Sequence, residues 1–243
     1  MYNFSKRFAD IFISFSILLI FAPFLLILAI ILKITGEHEA FYSQERIGYN
    51  NKKFKLYKFV TMRKFISDIP DIEFTLDNYS RVTAIGKLLR LTKINEIPQF
   101  FNVLKGDMSL VGPRPLIQVS FDMYPEEVKN KLYYLKPGLT GIGSIIFRNE
   151  ESLVTEKGTN LKDFYRDNII PYKGALEMWY YKNMSIKLDI TIMFLTGWAI
   201  FFPKLNLHYK VLRELPVQRK QKLQGMESNF DKKARIKVKG EVN

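Results

Sequence analysis

The sequence predicts an α+β fold, mostly helical with a small β-hairpin or sheet, carrying an N-terminal re-entrant membrane helix and interfacial amphipathic helices. Three observations lead there. Residues 11–32 hold no charge across 22 positions, about the length that crosses a hydrocarbon layer of roughly 30 Å. Two short segments of alternating character, 41–48 and 54–63, flank the turn residues Tyr49-Asn50-Asn51, the pattern of a hairpin. Much of the rest sets apolar residues three and four apart, the period of a helix packed on one side. The chain divides accordingly into an anchor over 1–35, a main domain over 36–205 that includes an interfacial helix at 187–203, and a basic tail over 206–243.

Taken in order, the anchor is interrupted by Pro23, which removes a helix hydrogen bond and crowds the preceding turn, so a bend is expected. Its halves reach only about 18 and 15 Å, and a helix bent there dips into a bilayer without crossing it. A straight single-pass helix is the alternative. Lys6 and Arg7 precede the apolar segment, while Lys33, Arg46, Lys52, Lys53, Lys55 and Lys58 follow it, so both ends favour the cytoplasmic side. A signal peptide is not expected, because the apolar region is too long and no small-residue cleavage site follows.

Residues 64–81 read as a polar, irregular loop. A helix is expected from about Arg81, with Ile85, Leu88 and Leu89 on one face and Lys87, Arg90 and Lys93 opposite. Residues 116–135 read helical, with Pro125-Glu126-Glu127 as a helix start. The run from Lys136 to Ser144 is glycine-rich, and its glycines suit close backbone approach to a ligand or tight turns equally. It is neither a Walker loop nor a dinucleotide fingerprint. Ile145-Ile146-Phe147-Arg148 reads as a strand. The 13-residue apolar run 190–202 is too short to span, and a helix lying in the membrane plane fits it better.

Composition narrows the chemistry. There is no Cys and there are two His, which removes thiolate nucleophiles and Cys-based zinc sites and makes a histidine metal cluster or a Ser-His-Asp triad improbable. The formal net charge of +13 calls for a polyanionic neighbour. From Lys210 to the end, ten basic residues stand against four acidic ones. Beside a membrane anchor, such a tail is better explained by anionic headgroups than by nucleic acid.

The stretch from Thr92 to Pro115 organises the rest. Asn95 can cap a helix, Glu96 suits its positive first turn, and Pro98 is tolerated there because early N–H groups lack intrahelical partners. Ile97, Phe100, Phe101 and Leu104 form one apolar face before a left-handed stop at Gly106. Backbone N–H groups converging near Asn95 and Glu96 make a natural phosphate cradle. Pro113 and Pro115 stiffen the backbone around Arg114, so its guanidinium can be aimed at an oxyanion at small ordering cost.

This run resembles the signature of the bacterial sugar transferases, the monotopic phosphoglycosyl transferases, which reads Asp-Glu-Leu-Pro-Gln, then Asn-Val-Leu-Lys-Gly-Asp-Met-Ser, then Val-Gly-Pro-Arg-Pro. The resemblance extends to about residue 205. It includes Gln-x-Arg-x-Gly from Gln44, Lys-Phe-x-Thr-Met from Lys58, Pro-Gly-x-Thr-Gly from Pro137, and an Asp-x-x-Tyr-x-x-Asn-x-Ser segment in which Glu177 replaces the Asp. The usual Trp-Ala-Gln-x-Asn continuation after Gly141 is absent.

The resemblance implies transfer of a sugar 1-phosphate from a UDP-sugar to polyprenyl (undecaprenyl) phosphate, starting lipid-linked glycan assembly at the cytoplasmic face of the bacterial inner membrane. The implied partners are these two substrates and anionic membrane lipids, with a homodimer admitted and no nucleic acid. Glu96 and Asn95 become the catalytic candidates, Glu96 with Asp107 the candidate Mg2+ ligands, and Arg114, Lys58 and Arg46 the phosphate contacts. Glu177 and Tyr180 become nucleotide-sugar candidates. Trp179, Tyr180 and Tyr181 can stack on uracil or sit at headgroup level, with core packing an equal alternative. Where the family carries an Asp nucleophile this chain has Asn95, and a neutral amide cannot form an acyl phosphate. Either Glu96 carries the chemistry with metal help, or the lipid phosphate attacks directly, or the chain is a catalytically silent membrane scaffold of a glycan assembly complex.

Overall fold

The computed structural model describes residues 2–35, 38–63, 81–132, 134–148, 165–202, 205, 207–212 and 215–216. The expected loop at 64–81, apart from Arg81, and most of the basic tail fall outside them.

Helix α1 (Tyr2–Ile34) is one continuous element with Pro23 inside it; the expected interruption does not divide it. Its burial is uneven. Asp10, Ser14 and Leu18 are buried towards one end and Leu28 and Leu32 towards the other, while residues 19–24, around Pro23, are all exposed. Each end is fastened to the same domain. Arg7 donates to the carbonyls of Val103 (2.6 Å) and Leu104 (2.9 Å), capping a helix end that lacks intrahelical acceptor partners. Asp10 Oδ1 accepts the Leu110 N–H at 3.0 Å. At the far end Leu28 and Leu32 pack with Phe59 and Leu89.

The hairpin is as expected: β1 (Phe41–Ile47) pairs antiparallel with β2 (Lys53–Phe59), in a register that sets Tyr42 opposite Lys58, Gln44 opposite Leu56 and Arg46 opposite Phe54. Those six side chains share one face. Asn50 and Asn51 close the turn with φ near 55° and 53°, a left-handed conformation that Asn tolerates better than most residues.

Helix α2 (Ala84–Leu91) starts at an N-cap, Thr83, whose Oγ1 accepts the Gly86 N–H at 2.9 Å. Leu89 is buried, but Leu88 is 60% exposed, so the apolar face expected here is narrower than Ile85, Leu88 and Leu89 together. The next expected helix is also corrected. Lys93 takes a left-handed φ of 61° and starts a separate 3-10 turn, Ile94–Glu96; α3 (Gln99–Lys105) begins only after Pro98. Asn95 therefore makes no capping bond, and Glu96 is not in the first turn of α3. The predicted stop holds: Gly106 has φ 94° and returns its N–H to the carbonyls of Asn102 and Val103.

Strand β3 (Ser109–Val111) leads through helices α4 (Gln118–Asp122) and α5 (Glu126–Leu132) to β4 (Gly138–Thr140), which lies parallel to β3. The strand expected at 145–148 is thus displaced, since Ile142–Ile146 forms the short helix α6. Close contact explains the choice. A Cβ on Gly138 would lie 2.1 Å from the Gly112 nitrogen, and one on Gly112 would lie 2.4 Å from the Lys136 carbonyl. Only glycine permits this approach, so the glycines serve backbone-to-backbone packing.

A π-helical turn, Tyr165–Ile169, leads into α7 (Ile170–Asn183); then come α8 (Ile186–Phe201) and α9 (Leu207–Val211). Val103, Met108, Val111, Ile142, Leu176, Tyr180 and Ile192 form the centre of the core. Asn102 is fully buried and bridges α3 to β2: its Nδ2 donates to the Lys55 carbonyl (2.7 Å) and its Oδ1 accepts the Tyr57 N–H (3.1 Å).

Candidate active site

The hairpin face, the 3-10 turn and the Pro113-Arg114-Pro115 turn border a cleft. Arg46, Lys58 and Arg114 line it, and Glu96 is the one carboxylate among its described lining residues. Lys58 arrives from β2, next to the buried Phe59. Glu96 arrives from the turn that Lys93 forces, and its Oε1 lies 3.7 Å from Lys58 Nζ and 4.0 Å from Lys93 Nζ. Both Lys58 and Glu96 keep 24% of their side-chain surface exposed, enough for a ligand to reach them.

Electrostatics follow from this crowding. Burial alone would raise the Glu96 pKa, but the charges of Lys58, Lys93 and Arg114 outweigh it and hold the carboxyl below its ordinary value. Burial brings Lys58 down to about 8, helped by Arg114, Arg46 and Lys93 and opposed by Glu96. The cleft has more positive charge than its one carboxylate balances, which is the condition for binding a polyanion.

Arg46 is buried, and its guanidinium donates to the Pro115 carbonyl (3.3 Å) and to Gln44 Oε1 (2.5 Å). It thereby holds the turn that carries Arg114. The Ile47 N–H donates to the Leu116 carbonyl (2.8 Å) and the Gly138 N–H to the Pro113 carbonyl (2.7 Å), so the hairpin and β4 fix that turn from two sides.

Four expected site residues therefore meet: Glu96, Lys58, Arg46 and Arg114. The others lie elsewhere. Asn95 is buried beside Glu96, is not among the lining residues, and its Oδ1 has no hydrogen-bond partner among the described residues. Asp107 follows α3 at the end opposite Glu96 and is engaged with Lys105 (3.5 Å) and Asn102 (3.4 Å). No group of three or more His, Cys, Asp or Glu able to hold a metal occurs among the described residues.

Tyr180, expected at the nucleotide, is 2% exposed and donates to Asp189 Oδ1 at 2.7 Å; it is core. Glu177, expected beside it, is likewise buried and not among the lining residues of the cleft. Its carboxyl is pushed up to about 8 by burial, against the Arg114 backbone N–H and the Lys173 and Arg114 charges. A Cβ at Gly143 would come within 2.7 Å of Glu177 Oε1. Glu177 thus stands behind the turn bearing Arg114.

Sequence reasoning missed Gln99 and Ser144, which line the cleft, and Asp189, which gathers Tyr2, Lys6 and Tyr180. Gln99 had a signal, since it completes the Glu96-Ile97-Pro98-Gln99 motif. Asp189 had a weaker one, a lone acid inside an apolar helix.

Comparison with known proteins adds a family. Residues 1–203 match the family model described as bacterial sugar transferase. The chain is 33% identical over 198 residues to a UDP-N-acetylgalactosamine-undecaprenyl-phosphate N-acetylgalactosaminephosphotransferase of Aeromonas hydrophila, covering 81% of this chain and 43% of that one. It is 36% identical over 212 residues to an undecaprenyl-phosphate galactose phosphotransferase of Salmonella typhimurium, covering 80% and 40%. An exopolysaccharide production protein of Rhizobium leguminosarum bv. phaseoli is 34% identical over 195 residues, covering 78% and 91%. The chain thus spans about two fifths of the first two relatives and nearly all of the third.

Proposed function

The chain belongs to the bacterial sugar transferase family, and from that premise we propose that it transfers a sugar 1-phosphate from a UDP-sugar to polyprenyl phosphate. The observation that carries this reading is the cleft itself, which Lys58, Arg46 and Arg114 line together with Glu96, the one carboxylate among its described lining residues. Bringing a lipid phosphate to a diphosphate opposes like charges, so neutralisation is the main catalytic demand.

The bond formed joins a lipid phosphate oxygen to the β-phosphorus. The bond broken joins that phosphorus to the oxygen bridging the two phosphates, which leaves with the electron pair as part of UMP. Asn95 offers no nucleophile, and with Glu96 given to the metal the lipid phosphate attacks directly. Lys58 and Arg114 hold the phosphate oxygens, and the prolines beside Arg114 keep its fork in place. Glu96 fits one role in Mg2+ binding: this ion takes one or two carboxylates and completes its shell with substrate phosphate oxygens and water. When bound, the ion would neutralise charge building on the phosphates. Asp107, engaged at the other end of α3, does not join it.

The membrane reading has its own support. Both ends of α1 fasten to one domain, so a helix inserted in a bilayer enters and leaves on the same face, and basic flanks favour the cytoplasmic one. On α8, Ile190, Phe194 and Phe201 are exposed, as is the following Phe202, which suits a helix lying in the interface among anionic lipids.

The test incubates membranes bearing the protein with labelled UDP-sugars and Mg2+, and follows lipid-soluble product. Glu96→Gln is expected to lower turnover by about 100-fold or more; full turnover in that variant would refute the role given to Glu96. No product from any UDP-sugar would return the chain to the scaffold reading, which the names of its relatives do not favour.

A further inference from the structure

We propose that the apolar groove on the far side of the Pro113-Arg114-Pro115 turn seats the nucleoside base of the donor. This groove is walled by Ile47, Leu116, Phe121, Leu132, Leu135 and Pro137, and Gly48 and Asn51 also line it. Arg114 lines both it and the cleft. Arg46 and Ile47, neighbours on β1, belong to one cavity each. A nucleoside diphosphate sugar has the same order of parts: a flat base with little charge, ribose, two phosphates, sugar. With its phosphates against Arg114, its base falls on the apolar side and its β-phosphorus towards Lys58 and Glu96.

The hairpin decides which substrate takes which end. Phe59 packs on Leu28 and Leu32 of the apolar helix, and its neighbour Lys58 opens into the cleft. The Asn51 turn lies at the other end of β2, about 20 Å away at the usual rise of a strand. A lipid phosphate held in the bilayer arrives at the Lys58 end. To reach the groove, its polyprenyl chain would have to leave the hydrocarbon, which the hydrophobic effect opposes. A water-borne nucleotide meets no such penalty. The apolar walls suit the faces of a base, and the Asn51 amide, with one acceptor and two donors, can pair with the O4 and N3–H edge of uracil.

This inference rests on the transferase reading, so its test uses equilibrium binding, which needs no turnover. The full chain in anionic-lipid nanodiscs is titrated with UMP and, separately, with inorganic pyrophosphate. Leu135→Trp fills the groove. Asn51→Gly removes the amide while keeping the left-handed backbone open to it. The UMP dissociation constant is expected to rise about tenfold or more in Leu135→Trp and about threefold in Asn51→Gly. Pyrophosphate, held by Arg114, should bind as before.

Unchanged UMP affinity in variants that still bind pyrophosphate would overturn the proposal. So would a rise in the polyprenyl phosphate KM with UMP binding intact, which would assign the groove to the lipid. If Leu135→Trp loses pyrophosphate as well, its fold is disturbed and Asn51→Gly decides. Groove-dependent UMP binding without product from any UDP-sugar would remove the transferase reading and leave the groove standing.

Discussion

Lys58 is held where its charge is both useful and hard to keep. Burial and the Arg114, Arg46 and Lys93 charges bring it down to about 8, while Glu96, 3.7 Å away, works to keep it protonated. Free enzyme below pH 8 therefore has the full set of cleft cations, and loses one as pH rises through that value. Because kcat/KM reports the free enzyme, it is expected to fall above about pH 8. Lys58→Arg, which stays charged, should flatten the alkaline limb, and an unchanged limb would assign it to another group. Glu177 gives a second pH effect with the sign worked from its raised pKa. Between the ordinary carboxyl range and about 8, the unfolded chain gives up this proton while the folded one keeps it. The stability this group contributes is thus complete in acid and lost as pH rises through about 8. Glu177→Gln should be more stable than wild type at pH 8.5 by on the order of 1–3 kcal/mol, read as melting temperature, and equal to it near pH 4. Glu96, Lys58, Arg46 and Arg114, grouped in the sequence by the motifs they sit in, line one cleft; composition and spacing alone would have left Arg46 and Lys58 as solvated strand charges. The sequence could not say that Tyr180 points inward, since helical spacing does not distinguish a ring on the core from one on a ligand.

Asp189, on α8, shows what holds the helices to one another. Tyr2 and Lys6 of α1 reach its Oδ2 at 3.0 and 2.7 Å, and Tyr180 of α7 reaches its Oδ1 at 2.7 Å. Three donors on one buried carboxylate leave its charge well compensated, and removing that charge leaves Lys6 without its carboxylate partner. Asp189→Asn is expected to destabilise the protein by about 2–4 kcal/mol and to raise hydrogen exchange in the first turns of α1. Tyr180→Phe removes one neutral donor and should cost about 1 kcal/mol. The reverse order of effects would locate the strength elsewhere. The elements legible in sequence were those with a local cause: the hairpin, from alternation around two asparagines, and the end of α3, from Gly106. Those that were not had a distant one. Strand β4 forms at Gly138 because Gly112 approaches it, and α3 starts late because Lys93 turns the chain first. Neither approach is written in a window of neighbouring residues.

At the scale of the molecule, α1 is the element that bears on membrane association, which its apolar length and the undecaprenyl-phosphate galactose phosphotransferase among the chain's relatives suggest. The helix is long and apolar enough to cross a bilayer, and by length alone a single crossing would be natural. Its contacts argue otherwise. Near one end, Arg7 and Asp10 bond α3 and β3; near the other, Leu28 and Leu32 meet Phe59 and Leu89. A straight crossing would leave one of these sets on the far side of the membrane, separated from the domain it holds. Residues 19–24 between them are exposed, an apolar stretch of the kind that a bilayer can cover. The natural absence of Cys makes the topology readable with single labels. Ser5→Cys and Thr35→Cys, both at exposed positions, are each treated with a membrane-impermeant maleimide in sealed inside-out and right-side-out vesicles. Both are expected to label in inside-out vesicles, where the cytoplasmic face is outermost, and neither in right-side-out ones. Labelling of the two positions from opposite sides would mean that α1 crosses the bilayer, and the proposed lipid phosphate would then have to reach the cleft by a different route from the one that Lys58 and Phe59 suggest.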